Sequence, residues 1–151
     1  MTKARLKTID RILEIIGESH TIAVCSHMRP DGDCIGSTLG LALALSDQGR
    51  EVTCWNEDPV PSKLRFLDPD QLIQTPRPIK RPFDCVIAVD SASIDRLGTA
   101  QEHIANRKTL INIDHHASNT RFGDVNWIAG KEPSSGELVY QLIRKASWQI
   151  T

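Results

Sequence analysis

Aromatic residues are scarce, with Trp, Tyr and Phe together making up 5% of the 151 residues. Trp55, Trp127 and Trp148 are too scattered to build a platform on which successive bases could stack, so packing in or beside the core is their expected use. Charge of one sign is also lacking. The 18 Lys and Arg residues face 19 Asp and Glu residues, a formal net charge of −1. No basic surface of the kind that grips long duplex nucleic acid is expected, and a phosphate ligand must be held by something more local than bulk charge. No apolar run approaches the ~20 residues that span a bilayer. The polar N-terminus, Met1-Thr2-Lys3-Ala4-Arg5, lacks a signal-peptide core. The four cysteines, Cys25, Cys34, Cys54 and Cys85, form no C-x-x-C pair. Reduced thiols, no structural zinc and a cytoplasmic setting follow as expectations.

What is present is the composition of one ordinary globular domain, 25% charged and 40% hydrophobic, without repeats or low-complexity tracts. Leu6, Ile9, Ile12, Leu13 and Ile16 form a helical stripe that ends near Glu18. Thr21 to Cys25 reads as a buried parallel strand, followed by a polar loop from Ser26 to Asp33. A small-residue helix is expected from about Cys34 to Gln48, closed by Gly49, with Gly36 and Gly40 allowing close approach to a sheet. Glu51 to Trp55 is the next strand, and a short helix is expected near Ser62 to Leu67 in a proline-broken stretch. Asp84 to Asp90 is the clearest strand of the chain. A helix over Gln101 to Asn106, a strand over Thr109 to Ile113 and a helix from Ser135 to Ala146 complete the pattern. Strands alternating with helices predict an α/β fold with a mostly parallel sheet.

Three of these strands end in metal-ligand residues: His27, Asp31 and Asp33 after the first, Asp90 after another, and Asp114, His115 and His116 after a third. The carboxyl ends of parallel strands share one edge, so clusters far apart in sequence converge there. Carboxylate and imidazole without thiolate suit Mn²⁺ or a similar divalent ion. Five or more such ligands exceed the need of one ion, and Asp90 is placed to bridge two. Two ions ~3.5–4 Å apart can activate water and stabilise a phosphoryl displacement.

The segments His27-Met28-Arg29-Pro30-Asp31-Gly32-Asp33-Cys34-Ile35-Gly36-Ser37, Val89-Asp90-Ser91 and Asp114-His115-His116-Ala117-Ser118-Asn119 resemble the first three motifs of the DHH phosphoesterase family. Ser134-Ser135-Gly136-Glu137-Leu138-Val139 is similar to the turn and helix that follow in the branch containing bacterial nanoRNA oligoribonucleases and phosphoadenosine-phosphate phosphatases. The resemblance implies a Rossmann-like DHH N-terminal domain over residues 1–151. It also implies a two-ion, Mn²⁺-dependent phosphoesterase, with Mg²⁺ or Co²⁺ as substitutes. Its partners would be short single-stranded RNA or DNA oligonucleotides, or small nucleotides such as 3′-phosphoadenosine 5′-phosphate. By the same resemblance His27 and Asp31 hold one ion, Asp33 and His115 the other, and Asp90 bridges. His116 faces the substrate phosphate, and Asp114 orients the histidine pair. Complete members continue to an Asp-Thr-Gly motif and a substrate-binding DHH-associated domain, neither of which occurs before Thr151. The chain therefore reads as an N-terminal fragment with a weakened second ion site and without the substrate-selecting surface, which leaves its own activity open.

Other residues carry plainer expectations. Asn119 and Arg121 follow the third motif and are candidates for a phosphate contact. Ser135 and Glu137 look like a cap for the last helix, Cys34 like a small buried residue, and His20 and His103 like solvated side chains. Two other functions compete: an inorganic pyrophosphatase-like hydrolase, and a non-catalytic domain that binds metal or nucleotide.

Overall fold

The structure is a computed structural model that describes residues 2–150. Its α-helices are α1 (Lys3–Glu18), α2 (Gly32–Asp47), α3 (Ala100–His103) and α4 (Ser135–Lys145). Its strands are β1 (Thr21–Cys25), β2 (Glu51–Trp55), β3 (Ile73–Gln74), β4 (Cys85–Val89), β5 (Thr109–Asp114) and β6 (Val125–Ile128). Short 3₁₀ turns occupy Ser62–Leu67 and Ile94–Leu97. The six strands form one sheet in the order β3-β2-β1-β4-β5-β6, and every pairing is parallel. This is the strand order of a Rossmann-type doubly wound sheet, as the alternation of elements predicts. Among the described residues no helix is long and apolar enough to cross a membrane.

Strand alternation divides the core in two. Ile22, Val24, Ile87, Val89, Ile111 and Ile113 meet the apolar stripes of α1, α2 and α4. Ala23, Cys25, Val86, Ala88 and Leu110 face the other way, against Trp55, Phe83, Leu97, Ala100 and Ile104. Each fully buried Ile or Leu contributes about 1.5–3 kcal/mol. The first face, with three full helices over it, therefore carries most of the packing energy.

Several local expectations need correction. α1 starts at Lys3, three residues earlier than its apolar stripe, because the Thr2 hydroxyl caps it by accepting from Arg5 N. Gly49 does end α2, with a left-handed φ of 76° and bonds back to Ser46 O and, through Arg50 N, to Leu45 O. Gly40 faces α4 rather than the sheet, with Val139 Cγ1 3.9 Å from the position a Cβ would take. α3 stops at His103 because Ile104 leaves helical geometry (ψ 4°) to bury its side chain under the sheet. His103 is half-buried, edge-on to Trp55 with ring centroids 6.1 Å apart, whereas His20 is exposed as expected. The thiols of Cys25, Cys54 and Cys85 are pushed up to about 12 by burial, which removes them from thiolate chemistry.

At the amino edge of the sheet Asp84 joins the starts of three strands. Its carboxylate accepts from His20 N at 2.9 Å, Thr21 N at 3.1 Å and the Thr21 hydroxyl, and pairs with Lys108 Nζ. Lys108 and these backbone donors hold the Asp84 carboxyl well below the usual carboxylate range. The Lys108 side chain is 72% exposed, so solvent screens its share and the backbone bonds carry the stabilisation. Because the folded state favours the ionised form, this stabilisation is present above about pH 4 and fades as pH falls below it. Asp84→Ala is expected to cost about 1–3 kcal/mol in urea melts at pH 7. At pH 3 the gap should narrow; an unchanged gap would contradict the role of the charge.

Candidate metal centre

In a doubly wound sheet ligands bind beyond the carboxyl ends of the strands, where the strand order reverses. Here that point lies between β1 and β4, which are neighbours although the chain leaves them toward opposite edges. His27 follows β1 by two residues, Asp90 follows β4 directly, and Asp114 ends β5 ahead of His115 and His116. Asp31 and Asp33 sit at the start of α2, which begins right after the β1 loop. The three clusters seen in the sequence therefore stand together at one edge.

Asp90 is the centre of the arrangement. Its backbone has a φ of 53°, in the left-handed region that a non-glycine residue enters at some cost, and Asp90 N is tied to Ile113 O at 3.0 Å. The side chain is 2% exposed. Oδ2 lies 3.4 Å from His27 Nε2, while Oδ1 lies 3.6 Å from His115 Nε2 and 3.8 Å from His116 Nδ1. The Ser135 hydroxyl donates to Oδ1 at 2.9 Å. Burial works against charge on Asp90, but the partnerships with His27 and Ser135 outweigh it and hold the carboxyl below its ordinary range. In return Asp90 pushes His27 up to about 10. His27 Nδ1 lies 2.7 Å from Met28 O, an acceptor only, so Nδ1 carries a proton and Nε2 is the nitrogen presented to Asp90. Buried Asn56 secures the loop by donating to Ser26 Oγ and His27 O.

Asp33 is held by α4. Its two oxygens accept from Ser135 N and Gly136 N, both at 2.8 Å, the first free N–H groups of that helix. A Cβ on Gly136 would stand 3.2 Å from Asp33 Oδ1, which accounts for glycine there. His115 Nε2 lies 3.6 Å from Asp33 Oδ2, and its Nδ1 lies 3.3 Å from Glu132 O. Asp31 caps α2 by accepting from Cys34 N at 2.9 Å with Oδ1. Its Oδ2 makes no hydrogen bond among the described residues, and Asp31 lines the cleft beside His27 and Asp90.

Asp114, fully buried, supports His116. It accepts from Asn119 Nδ2 and pairs with His116 Nδ1, each at 2.7 Å, so the His116 ring nitrogen left free is Nε2. Asn119 also donates toward Ser91 O and Asn112 Oδ1, and its own Oδ1 accepts from Arg121 N. Its side-chain amide is thus engaged by groups of the protein itself. Arg121 opens on a different hollow, lined by Arg5, Trp127 and Glu132, rather than on the cleft of His27 and Asp90.

Sequence reasoning missed three members of this neighbourhood. Ser135 was expected only to start α4; Ser134 is the actual cap, accepting from Glu137 N at 3.1 Å, and Ser135 reaches Asp90. Arg96, in the second 3₁₀ turn, lines the cleft. Cys34 is buried as expected, but its sulfur stands among the candidate donors with His27 and Asp90.

The donor set fits divalent cations. Two groups, His27 with Cys34 and Asp90, and Asp90 with His115 and His116, have donor atoms within 4.8 Å of one another and share Asp90. Two donors each ~2.1 Å from an ion at ~90–110° stand ~3.0–3.4 Å apart. The 3.4 and 3.6 Å separations around Asp90 are within a few tenths of that, and longer than normal hydrogen bonds. An ion beside His27 would take the place of the proton that it now shares with Asp90.

Comparison with known proteins identifies the family of the chain. The model of the DHH family, N-terminal domain, matches residues 21–151. The bifunctional oligoribonuclease and PAP phosphatase NrnA of Thermus thermophilus is 37% identical over 123 residues, covering 81% of this chain and 36% of that protein. Its namesake from Bacillus subtilis is 28% identical over 144 residues, covering 92% of this chain and 44% of that one. The chain thus spans less than half the length of these relatives. The crystal structure of an exopolyphosphatase-related protein from Bacteroides fragilis superposes with a TM-score of 0.85 at 25% identity, over 96% of this chain and 45% of that one. RecJ from Thermus thermophilus shares the fold at a TM-score of 0.56 and 18% identity, over 98% of this chain and 22% of RecJ. With a family model that matches residues 21–151 and a relative 37% identical over 81% of this chain, the chain belongs to the DHH family.

Proposed function

We propose that this chain is the metal-binding domain of a two-ion phosphoesterase that hydrolyses short single-stranded oligonucleotides, 3′-phosphoadenosine 5′-phosphate, or both. The observation that carries the reading is the division of Asp90, one oxygen toward His27 and the other toward His115. His27 and Asp31 would hold one ion, Asp33 and His115 the other, and Asp90 both. Carboxylate and imidazole donors suit Mn²⁺, with Mg²⁺ or Co²⁺ as substitutes. When bound, the ions supply activated water and positive charge for phosphoryl displacement. The names of the relatives, oligoribonuclease and PAP phosphatase, supply the substrate class. A cytoplasmic setting is part of the proposal and suits the buried free thiols.

Around the ions the chain's own groups fix geometry. The α4 N-terminus orients Asp33, Ser135 orients Asp90, and Asp114 sets the His116 ring so that Nε2 can give a proton to the leaving oxygen. Ser135→Ala removes one hydroxyl and leaves both backbone bonds to Asp33. It is expected to weaken Mn²⁺ binding ~10-fold, as loss of a ligand-orienting group does; unchanged affinity would show that Asp90 needs no such support.

The reading is tested by assaying the chain with Mn²⁺ on 3′-phosphoadenosine 5′-phosphate, on RNA of two to five nucleotides and on pyrophosphate. Turnover of the nucleotides is the expected result. Faster turnover of pyrophosphate would favour the pyrophosphatase-like alternative, and binding without turnover the non-catalytic one.

A further inference from the structure

The cleft above Asp90 has a volume of about 460 Å³ and is lined by His27, Asp31, His116, Ser93, Ser118 and Arg96, among others. Arg96 is the guanidinium of this lining. Its position is set by the backbone: Arg96 N donates to Ser93 O at 3.2 Å, Arg96 O accepts from Met28 N at 2.8 Å, and neighbouring Leu97 is fully buried. The 3₁₀ turn that carries Arg96 is thereby fastened to the loop that carries His27. The guanidinium Nη2 stands 3.2 Å from His27 Nδ1. That nitrogen already carries a proton directed at Met28 O, so it cannot accept from Arg96. Arg96 forms no ion pair with a carboxylate among the described residues.

A half-buried guanidinium without a protein acceptor, in a cleft whose carboxylates are called on by cations, lacks an anion. The walls beside it are firmly placed, because Thr120 N and the Thr120 hydroxyl both donate to Ala92 O. The hydroxyls of Ser93 and Ser118 make no hydrogen bond among the described residues and line the same space. The planar fork of arginine matches phosphate oxygens two at a time.

We propose that Arg96, assisted by Ser93 and Ser118, forms a phosphate subsite that grips a phosphoryl group of the substrate beside the metal centre. The proposal rests on the phosphoesterase reading and gives it a protein cation that acts on the substrate and not on the ions. Nothing in Arg96 ligates metal, so its loss should separate phosphate binding from metal binding.

The test uses the chain with Mn²⁺ and adenosine 5′-monophosphate or inorganic phosphate as probe, titrated by calorimetry, with Mn²⁺ affinity measured separately. Arg96→Gln keeps the backbone anchors and removes the charge. It should weaken binding of both probes ~10–100-fold, as expected for lost charge-assisted hydrogen bonds, with Mn²⁺ binding equal or tighter. Arg96→Lys should recover part of the loss, since it restores charge but not the fork. Equal probe affinity in the unsubstituted chain and Arg96→Gln would overturn the subsite alone. A chain that loads Mn²⁺ but binds neither probe would overturn the subsite and the phosphoesterase reading together.

Discussion

Asp90→Asn is expected to lower hydrolysis of 3′-phosphoadenosine 5′-phosphate by ~10³-fold or more, beyond the ~10–100-fold typical of groups that only orient a ligand. Its two oxygens serve different imidazoles, so one substitution removes a donor from both groups of candidate ligands at once. Asparagine is the better replacement, because residue 90 has a φ of 53° and Asn tolerates the left-handed region more readily than Ala. The fold should survive. All five residues of β4 remain buried, and His27, deprived of its counter-charge, can lose its proton instead of remaining an unpaired buried cation. Thermal melts of the variant should therefore stay cooperative while turnover disappears. Retained turnover would remove Asp90 from the reaction.

The second large effect is expected at His116. Unlike His115, it is 44% exposed at the side chain, and its Nδ1 is engaged by a carboxylate that is itself fully buried. A histidine fixed in this way presents Nε2 as a proton donor, the logic of a carboxylate-oriented imidazole in other hydrolytic sites. His116→Ala should lower kcat by ~10²–10⁴-fold, the range for a general acid, and leave Mn²⁺ affinity within a few-fold. Asp114→Asn should resemble it. Its amide can donate to Nδ1 and hold the ring as the neutral Nε2–H tautomer, a far weaker acid than the imidazolium that the Asp114 carboxylate supports. His116 also lies among the candidate donors around Asp90, so the opposite result has a clear meaning. Loss of Mn²⁺ in His116→Ala would make it a ligand and not an acid.

The sequence disclosed the site's frame because its donors follow strand ends, and a parallel sheet brings those ends to one edge. β1 and β2 fall on the expected residues, and β4 lacks only the terminal Asp84 and Asp90 of the expected span. β3 and β6 did not announce themselves. β3 has two residues within a proline-broken stretch, and β6 has four with polar Asn126 among them, so neither shows an apolar run or a clean alternation. The supporting groups were harder still. Ser135 and Gly136 reach Asp33 across more than a hundred residues, through the packing of α4 on α2 at Gly40 and Val139, and no local pattern encodes that. Asn119 reads as a polar loop residue, yet three acceptors, Ser91 O, Asn112 Oδ1 and Asp114 Oδ2, turn it inward. Arg96 lies outside the three motifs, and no local pattern marks it. Only the bond from Met28 N to Arg96 O shows that it faces the cleft side of His27.

Asp90 is expected to join two cation sites. Calorimetric titration of the chain with Mn²⁺, beside Asp90→Asn under identical conditions, tests it most directly. Two ions should bind the unsubstituted chain, the second more weakly, and binding at both sites should weaken in the variant. Equal binding by the two proteins would contradict it, and loss of one site with the other intact would show that Asp90 serves a single ion.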